Sequence, residues 1–517
     1  MPQSDPKSNL LIVCADQLRA DFLGCYGHPT IGTRHIDALA RASVRFANAY
    51  VASPSCGPSR ISLATSTYVG EHGHRDYGSM ISPDVPNLVT SLRSAGYRTA
   101  MFGKNHMFHY ERLLEVWDEL HEVTFGNYDF HPSYDHAWRA FSLEEGHTFN
   151  RSGALTEEAM AFMARAKDAP RPFLCWLNYQ DPHPAFCAPP PYDTLFDPAE
   201  VALPASWSAP VVGGEPVRNA VWRAHSEMEL CDEAEIRRSI AMYMGQIRYI
   251  DDCVGRLMAC LEETGLAART AVFFLSDHGE HVGYRRMTHK NPTFYEAMTR
   301  QPAILRLPGG ARGEVFEGLV EEVDFAPTIL GALDVEIPPS MVGKDWSGAL
   351  DSPGGHGRED VLVECGVGAP TWETPIEGVS LWAPFSPTDF GPGAMLRYGD
   401  WKLSVYHDDA CELFNLAEDP EELVNRFEDP DAAEIRNALM FRLAKRLLAV
   451  KVREVGAVQW PANAGIHDVR REPLERDPRT RGLAPAAELR KERGPFDPRG
   501  YGRLFRTLAE KGRKAPG

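Results

Sequence analysis

At 517 residues the chain exceeds what one ordinary core fills, so one large packed unit and one smaller one are expected. Hydrophobic residues at 43% and aromatics at 10% are usual for a globular protein, and no apolar run approaches a membrane span, so no membrane partner is expected. The formal net charge of −18 argues against nucleic acid as a partner, and any anionic substrate must be drawn by a local positive site.

Residues 1–8 are polar, and the apolar run that follows is too short for a signal peptide. The ten cysteines (14, 25, 56, 175, 187, 231, 253, 260, 365 and 411) are scattered, with no C-x-x-C pair. A reduced, cytoplasmic protein is the expectation. Residues 9–15 read as a strand buried on both faces of a parallel sheet, stopping at Asp16-Gln17. Polar groups at the carboxyl end of such a strand lie where open α/β sheets build their sites. A helix around 36–40 follows. Residues 44–50 then lead into Ser53-Pro54-Ser55-Cys56-Gly57-Pro58-Ser59-Arg60-Ile61, a loop entering a helix, with Cys56 near the helix start. Unpaired N–H groups there favour an anion, and Arg60, one turn on, can reach the same place. On its residues alone the stretch is equally a buried cysteine in a Pro-rich turn.

Residues 87–96 predict a helix closed by Gly96, and 97–102 a strand ending in Gly103-Lys104-Asn105-His106. The bland reading of Lys104 and His106 is a loop lysine and an ordinary histidine, but their place at the end of a predicted strand favours a site role. The stretch 108–150 has many His, Tyr and Phe without clean periodicity, and reads as a binding loop. Another buried strand, 172–179, ends at Asp181-Pro182-His183-Pro184. The Pro-rich run after it, with Trp207 and Trp222, reads as a substrate-side insertion. An amphipathic helix spans 239–261, with Asp251 and Asp252 in structural roles. The clearest strand, 270–276, ends in Asp277-His278-Gly279-Glu280, and Lys290 follows. A helix at 323–330 closes the large unit. The strands 396–404 and 412–416 belong to the small one.

Taken in order, these motifs resemble one family. Cys56-Gly57-Pro58-Ser59-Arg60 is similar to the C-x-P-S-R signature of the type I, formylglycine-dependent sulfatases of the alkaline-phosphatase superfamily, close to the branch of phosphonate monoester hydrolases and arylsulfatases. Leu23-Gly24-Cys25-Tyr26-Gly27, Gly103-Lys104-Asn105-His106 and Asp277-His278 fit the same pattern, and the resemblance covers roughly residues 9 to 430. It implies an α/β fold: a large mixed, mostly parallel sheet sandwiched by helices over 1–385, with insertions near 108–150 and 185–235, then a smaller α+β subdomain over 386–450.

The resemblance also implies roles. Cys56 would be oxidised by a formylglycine-generating enzyme, and the hydrate of the product would be the nucleophile. One divalent cation, Ca²⁺ or Mn²⁺, would sit on Asp16, Gln17, Asp277, His278 and the modified Cys56. Lys104, Lys290 and Arg60 would hold the sulfate oxygens, His106 would act as base, and His183 would protonate the departing oxygen. Glu296 and Arg300 would form a structural ion pair. Gln17 departs from the family's usual Asp, as it does in some phosphonate monoester hydrolases. The expected reaction is hydrolysis of a small anionic ester, a sulfate monoester. The alternatives are a phosphonate monoester or phosphodiester hydrolase and a silent anion-binding homologue. The tail, 451–517, carries 16 Lys and Arg against 9 Asp and Glu. It reads as disordered by composition, or as a basic arm joining the subunits of a homo-oligomer, dimer or tetramer.

Overall fold

Strand β1 (Asn9–Asp16) has no exposed residue, which is what an apolar run without alternation requires of a strand covered on both faces. The computed structural model describes residues 8–75, 79–124, 139–142, 151–366, 391–407, 409–450, 458–459 and 467–471. Most of the expected binding loop and most of the basic tail therefore lie outside the described residues.

The strands that follow β1 are β2 (Val44–Tyr50), β3 (Ser79–Met80), β4 (Arg98–Gly103), β5 (Glu119–Thr124), β6 (Phe173–Pro182), β7 (Thr270–Ser276), β8 (Arg300–Gln301), β9 (Ala303–Arg306) and β10 (Glu314–Glu321). Four strands from the smaller unit come next: β11 (Asp360–Cys365), β12 (Gly393–Tyr398), β13 (Trp401–Tyr406) and β14 (Glu412–Asn415). Two pieces of the tail complete the set among the described residues, β15 (Val458–Gln459) and β16 (His467–Arg471).

The large sheet runs β10-β2-β9-β7-β1-β6-β4-β5-β16, with β8 beside β2. It is mixed: β1 is parallel to both β6 and β7, and β4 is parallel to β5 and β6. Strand β9 is antiparallel to β7 and β2, and β16 closes the far edge antiparallel to β5. Alternate residues of β1 feed two cores. Leu11, Val13 and Ala15 pack with the long helix Glu233–Glu263 and with Arg151–Ala166. Leu10, Ile12 and Cys14 pack with helices Cys56–Thr65, Leu88–Ser94 and Phe325–Ala332. Each large side chain so buried contributes about 1.5–3 kcal/mol.

The long helix starts six residues before the predicted position because the Asp232 carboxylate caps it, accepting the Glu235 N–H at 2.9 Å. Asp251 and Asp252 are structural: Asp251 accepts the N–H groups of His35 and Ile36 at the start of helix Arg34–Arg41, and Asp252 accepts the Tyr192 hydroxyl.

The smaller sheet is antiparallel, in the order β11-β12-β13-β14, and helix Ala433–Ala449 covers it through Leu439 and Leu443. Its first strand, Asp360–Cys365, precedes residue 386, where the sequence reading opens the smaller unit. The expected Glu296–Arg300 ion pair does not form. Glu296 instead takes Lys402 of β13 at 3.0 Å and the Tyr50 hydroxyl at 2.8 Å, while Arg300 donates to the Ala47 carbonyl. Arg300 begins β8, so the single helical turn Glu296–Thr299 ends before it can carry the arginine back to the glutamate. Among the described residues no helix is long and apolar enough to cross a membrane.

Candidate active site

The carboxyl ends of β1 and β7, neighbours in the sheet but far apart in sequence, put Asp16 beside Asp277. The chain leaves β1 through Gln17, whose φ of +67° turns its N–H onto Asp277 Oδ1 at 3.1 Å. Helix Cys56–Thr65 points its first residue at the same spot, and all ten of its residues are buried. Ser59 ties this helix to the strand end, lying 2.5 Å from the Asp277 carbonyl and 2.8 Å from the Glu322 carboxyl.

Ligand atoms of Asp16, Cys56, Asp277 and His278 lie within 4.8 Å of one another, and all four residues are buried. His278 donates its Nδ1–H to the Gly279 carbonyl at 2.9 Å, which turns Nε2 into the cluster, where burial is outweighed by Asp277 and Cys56 and the imidazole pKa is raised. That Nε2 stands 3.8 Å from Asp16 Oδ1 and 3.9 Å from Asp277 Oδ1. Neither Asp16 Oδ1 nor His278 Nε2 has a nitrogen or oxygen partner, and the imidazole meets only the Cys56 sulfur there. Buried polar atoms without partners are costly, and two that converge with a second carboxylate fit one cation. Oxygen donors with one imidazole suit Ca²⁺ or Mn²⁺.

Three cations surround the cluster, in different ways. Lys104 donates to Asp16 Oδ2 and lies 3.8 Å from Cys56 Sγ. Burial opposes its charge, but Asp16 and the sulfur prevail and push its pKa up to about 12. Lys290 is half-buried and donates to Gln17 Oε1 at 3.0 Å. The resemblance implies that Arg60 holds the sulfate oxygens, but here its guanidinium is taken by the carboxylates. Its Nε reaches Asp277 Oδ2 at 2.7 Å, its Nη1 Asn178 Oδ1 at 2.8 Å, and its Nη2 Asp16 Oδ2 at 3.4 Å. With 1% exposure it clamps the two carboxylates from beneath.

Burial alone would raise the Cys56 thiol; Lys104, Lys290 and a hydrogen bond from His106 instead hold it well below the ordinary thiol value. His106, itself at φ +43°, is brought down to about 4 by burial and by Lys104, so it is a neutral imidazole. His183 is half-buried and donates Nδ1–H to the Pro184 carbonyl. Burial and Lys290 hold it well below its ordinary value, so Nε2 is its unprotonated nitrogen.

Gln17 presents its amide to two side chains, since Nε2 donates to Glu280 and Oε1 accepts from Lys290. Sequence reasoning missed Glu280 and Asn178 as members of the site. Glu280 stands just beyond the end of β7 and Asn178 is a polar residue inside the apolar run of β6, and those positions were the available signal.

The described geometry has counterparts. A sequence profile of the Sulfatase family matches residues 8–335. An uncharacterised sulfatase of Escherichia coli (strain K12), YidJ, is 26% identical over 453 residues, covering 84% of this chain and 86% of its own. The multifunctional alkaline phosphatase superfamily protein PehA of Trinickia caryophylli is 28% identical over 395 residues, 65% of this chain and 76% of its own. Among solved structures, the phosphonate monoester hydrolase SpPMH from Silicibacter pomeroyi superposes with a TM-score of 0.68 at 25% identity, covering 90% of this chain and all of its own. The chain belongs to the sulfatase family of the alkaline-phosphatase superfamily, a family of hydrolases.

Proposed function

We propose that this member of the sulfatase family hydrolyses sulfate monoesters of aryl or small alkyl alcohols, using a formylglycine made from Cys56 and one divalent cation, Ca²⁺ or Mn²⁺. The observation that carries the reading is the meeting of Asp16 Oδ1, Cys56, Asp277 and His278 Nε2 in one buried cluster beside Lys104. Asp16, Asp277, His278 and the Gln17 side-chain oxygen would hold the cation, which would supply Lewis acidity toward a non-bridging ester oxygen. Formylglycine at residue 56 would supply, as its hydrate, a hydroxyl nucleophile and a second ionisable hydroxyl on the same carbon, which a thiol or serine lacks.

The other steps belong to the chain's own side chains. Lys104 and Lys290 hold the charge of the transferring group. His183 binds a proton at Nε2 once an anion is beside it, and passes that proton to the departing oxygen. His106, neutral and against residue 56, takes the proton of the second hydroxyl. With Arg60 committed to Asp16 and Asp277, the charge left for substrate is modest. That suits a singly charged ester over a phosphate monoester.

A second reading, phosphonate monoester or phosphodiester hydrolysis on the same groups, is favoured by Gln17 and by the likeness to the Silicibacter pomeroyi enzyme. Two measurements test the reading, the second of which separates it from the alternative. Mass spectrometry of the peptide spanning residue 56 should show formylglycine, and kcat/KM on one aryl leaving group should be highest as the sulfate and lowest as the phosphate monoester. A larger value for the phenylphosphonate makes the second reading correct. A thiol at residue 56 in fully active protein removes the nucleophile proposed here.

A further inference from the structure

A side-chain amide has two ends of opposite hydrogen-bonding character and nearly the same shape, so its neighbours decide which way it points. At Gln17 both neighbours decide alike. A carboxylate, Glu280, takes the NH₂ end, and an ammonium, Lys290, takes the oxygen end at 3.0 Å. The two agree whatever labels the amide atoms carry, because a carboxylate only accepts and an ammonium only donates.

Glu280 is itself immobile. It is completely buried, and its second oxygen, Oε1, accepts the Val282 N–H at 2.9 Å. Its own N–H donates to the Ala297 carbonyl at 3.1 Å. Gly279 before it could not carry a side chain, since an added Cβ would stand 1.8 Å from that same carbonyl oxygen. Lys290, by contrast, is half-buried and reachable by water. The fixed member of the clasp is the glutamate.

We propose that Glu280 is a positioning residue that locks the Gln17 amide with its oxygen turned to Lys290 and to the cation of the site. This rests on the cation reading given above. An Asp at position 17, with two like oxygens, needs no such lock and would set two carboxylates against each other. A Gln needs it, because the inverted amide presents N–H groups that repel both Lys290 and a cation.

The test is calorimetric titration of Mn²⁺ into metal-stripped protein for wild type, Glu280→Gln, Gln17→Glu and the exchanged pair Gln17→Glu with Glu280→Gln. In Glu280→Gln the new amide keeps its oxygen on the Val282 N–H and turns its NH₂ to Gln17, which flips. Binding should weaken by ~10-fold or more. Gln17→Glu should also weaken binding, since two buried carboxylates then face each other. The exchanged pair restores every donor and acceptor with isosteric groups, and should bind within ~3-fold of wild type. That rescue is the readout a merely structural glutamate would not produce. If Glu280→Gln binds like wild type, or the exchanged pair is as weak as the two losses combined, the proposal is overturned while the cation reading stands. If wild type itself binds no Mn²⁺, the cation reading falls and this proposal with it. Should Glu280→Gln fail to fold, the exchanged pair against Gln17→Glu decides: tighter binding supports the lock, equal or weaker binding overturns it.

Discussion

Two buried groups of charge sit at opposite ends of the segment 277–296, and they are finished differently. At the strand ends, Asp16 and Asp277 face Arg60, Lys104 and His278, yet Asp16 Oδ1 and His278 Nε2 are left over and converge. At the junction with the small sheet, Glu296 and Glu422 share Lys402, at 3.0 and 2.8 Å, with Glu412 near by. There the carboxylate oxygens meet a donor or a cation: Lys402 and Tyr50 on Glu296, Tyr295 and Tyr406 on Glu412, Tyr284 and the Glu296 N–H on Glu422 Oε2, and the Lys402 ammonium alone on Glu422 Oε1. A satisfied cluster holds elements together. One with atoms to spare, all aimed at one point, is arranged for something that arrives.

Three changes probe that contrast. Asp277→Asn acts on the unfinished cluster, and turnover should fall by ~10³-fold or more. Metal-free protein should keep nearly the wild-type urea midpoint, because Arg60 retains Asp16, Asn178 and the Lys104 carbonyl. A parallel collapse of stability would erase the distinction. Lys402→Met acts on the finished cluster and strands two buried carboxylates, at a cost of about 3–5 kcal/mol by urea unfolding. The kcat/KM of the folded fraction should stay near wild type.

The smallest effect is a pH dependence. Burial, against Arg285 and the Tyr295 hydrogen bond, raises Glu412 from 4.5 to about 7. The folded state therefore keeps a proton that the unfolded state gives up. This contribution is whole below about 4.5 and is lost as pH rises through about 7, amounting to about 3 kcal/mol. Glu412→Gln should flatten that fall between pH 5 and 8, as read by unfolding at a series of pH values. A wild-type curve that is already flat there would place Glu412 among ordinary carboxylates.

The strands and the residues at their ends were legible because a strand covered on both faces must be apolar until it reaches the site. Residues 9–16 and 270–277 change character at the aspartates. The direction of Arg60 was not legible. Four residues after Cys56 it shares a helix face with it, but which carboxylates lie beneath depends on β1 and β7 meeting. Glu296 failed for a related reason: its cation comes from Lys402, more than a hundred residues on, and not from the arginine four residues away. Glu280 carried no pattern of its own, since its role exists only because position 17 holds an amide.

The placement of β1 bears on how the chain is made. Its neighbours are β6 and β7, so the first strand synthesised has no partner until residue 182 has been added and lacks its second until residue 276. Until β7 is made, helix Cys56–Thr65 lacks the Phe273 and Leu275 side chains of the core it packs into, so the segment around Cys56 is incompletely covered. Once the sheet closes, Cys56 is 2% exposed inside a helix with no surface of its own. Any enzyme that alters this cysteine has to work on the growing chain or on one newly released, and the speed of folding sets how long it has.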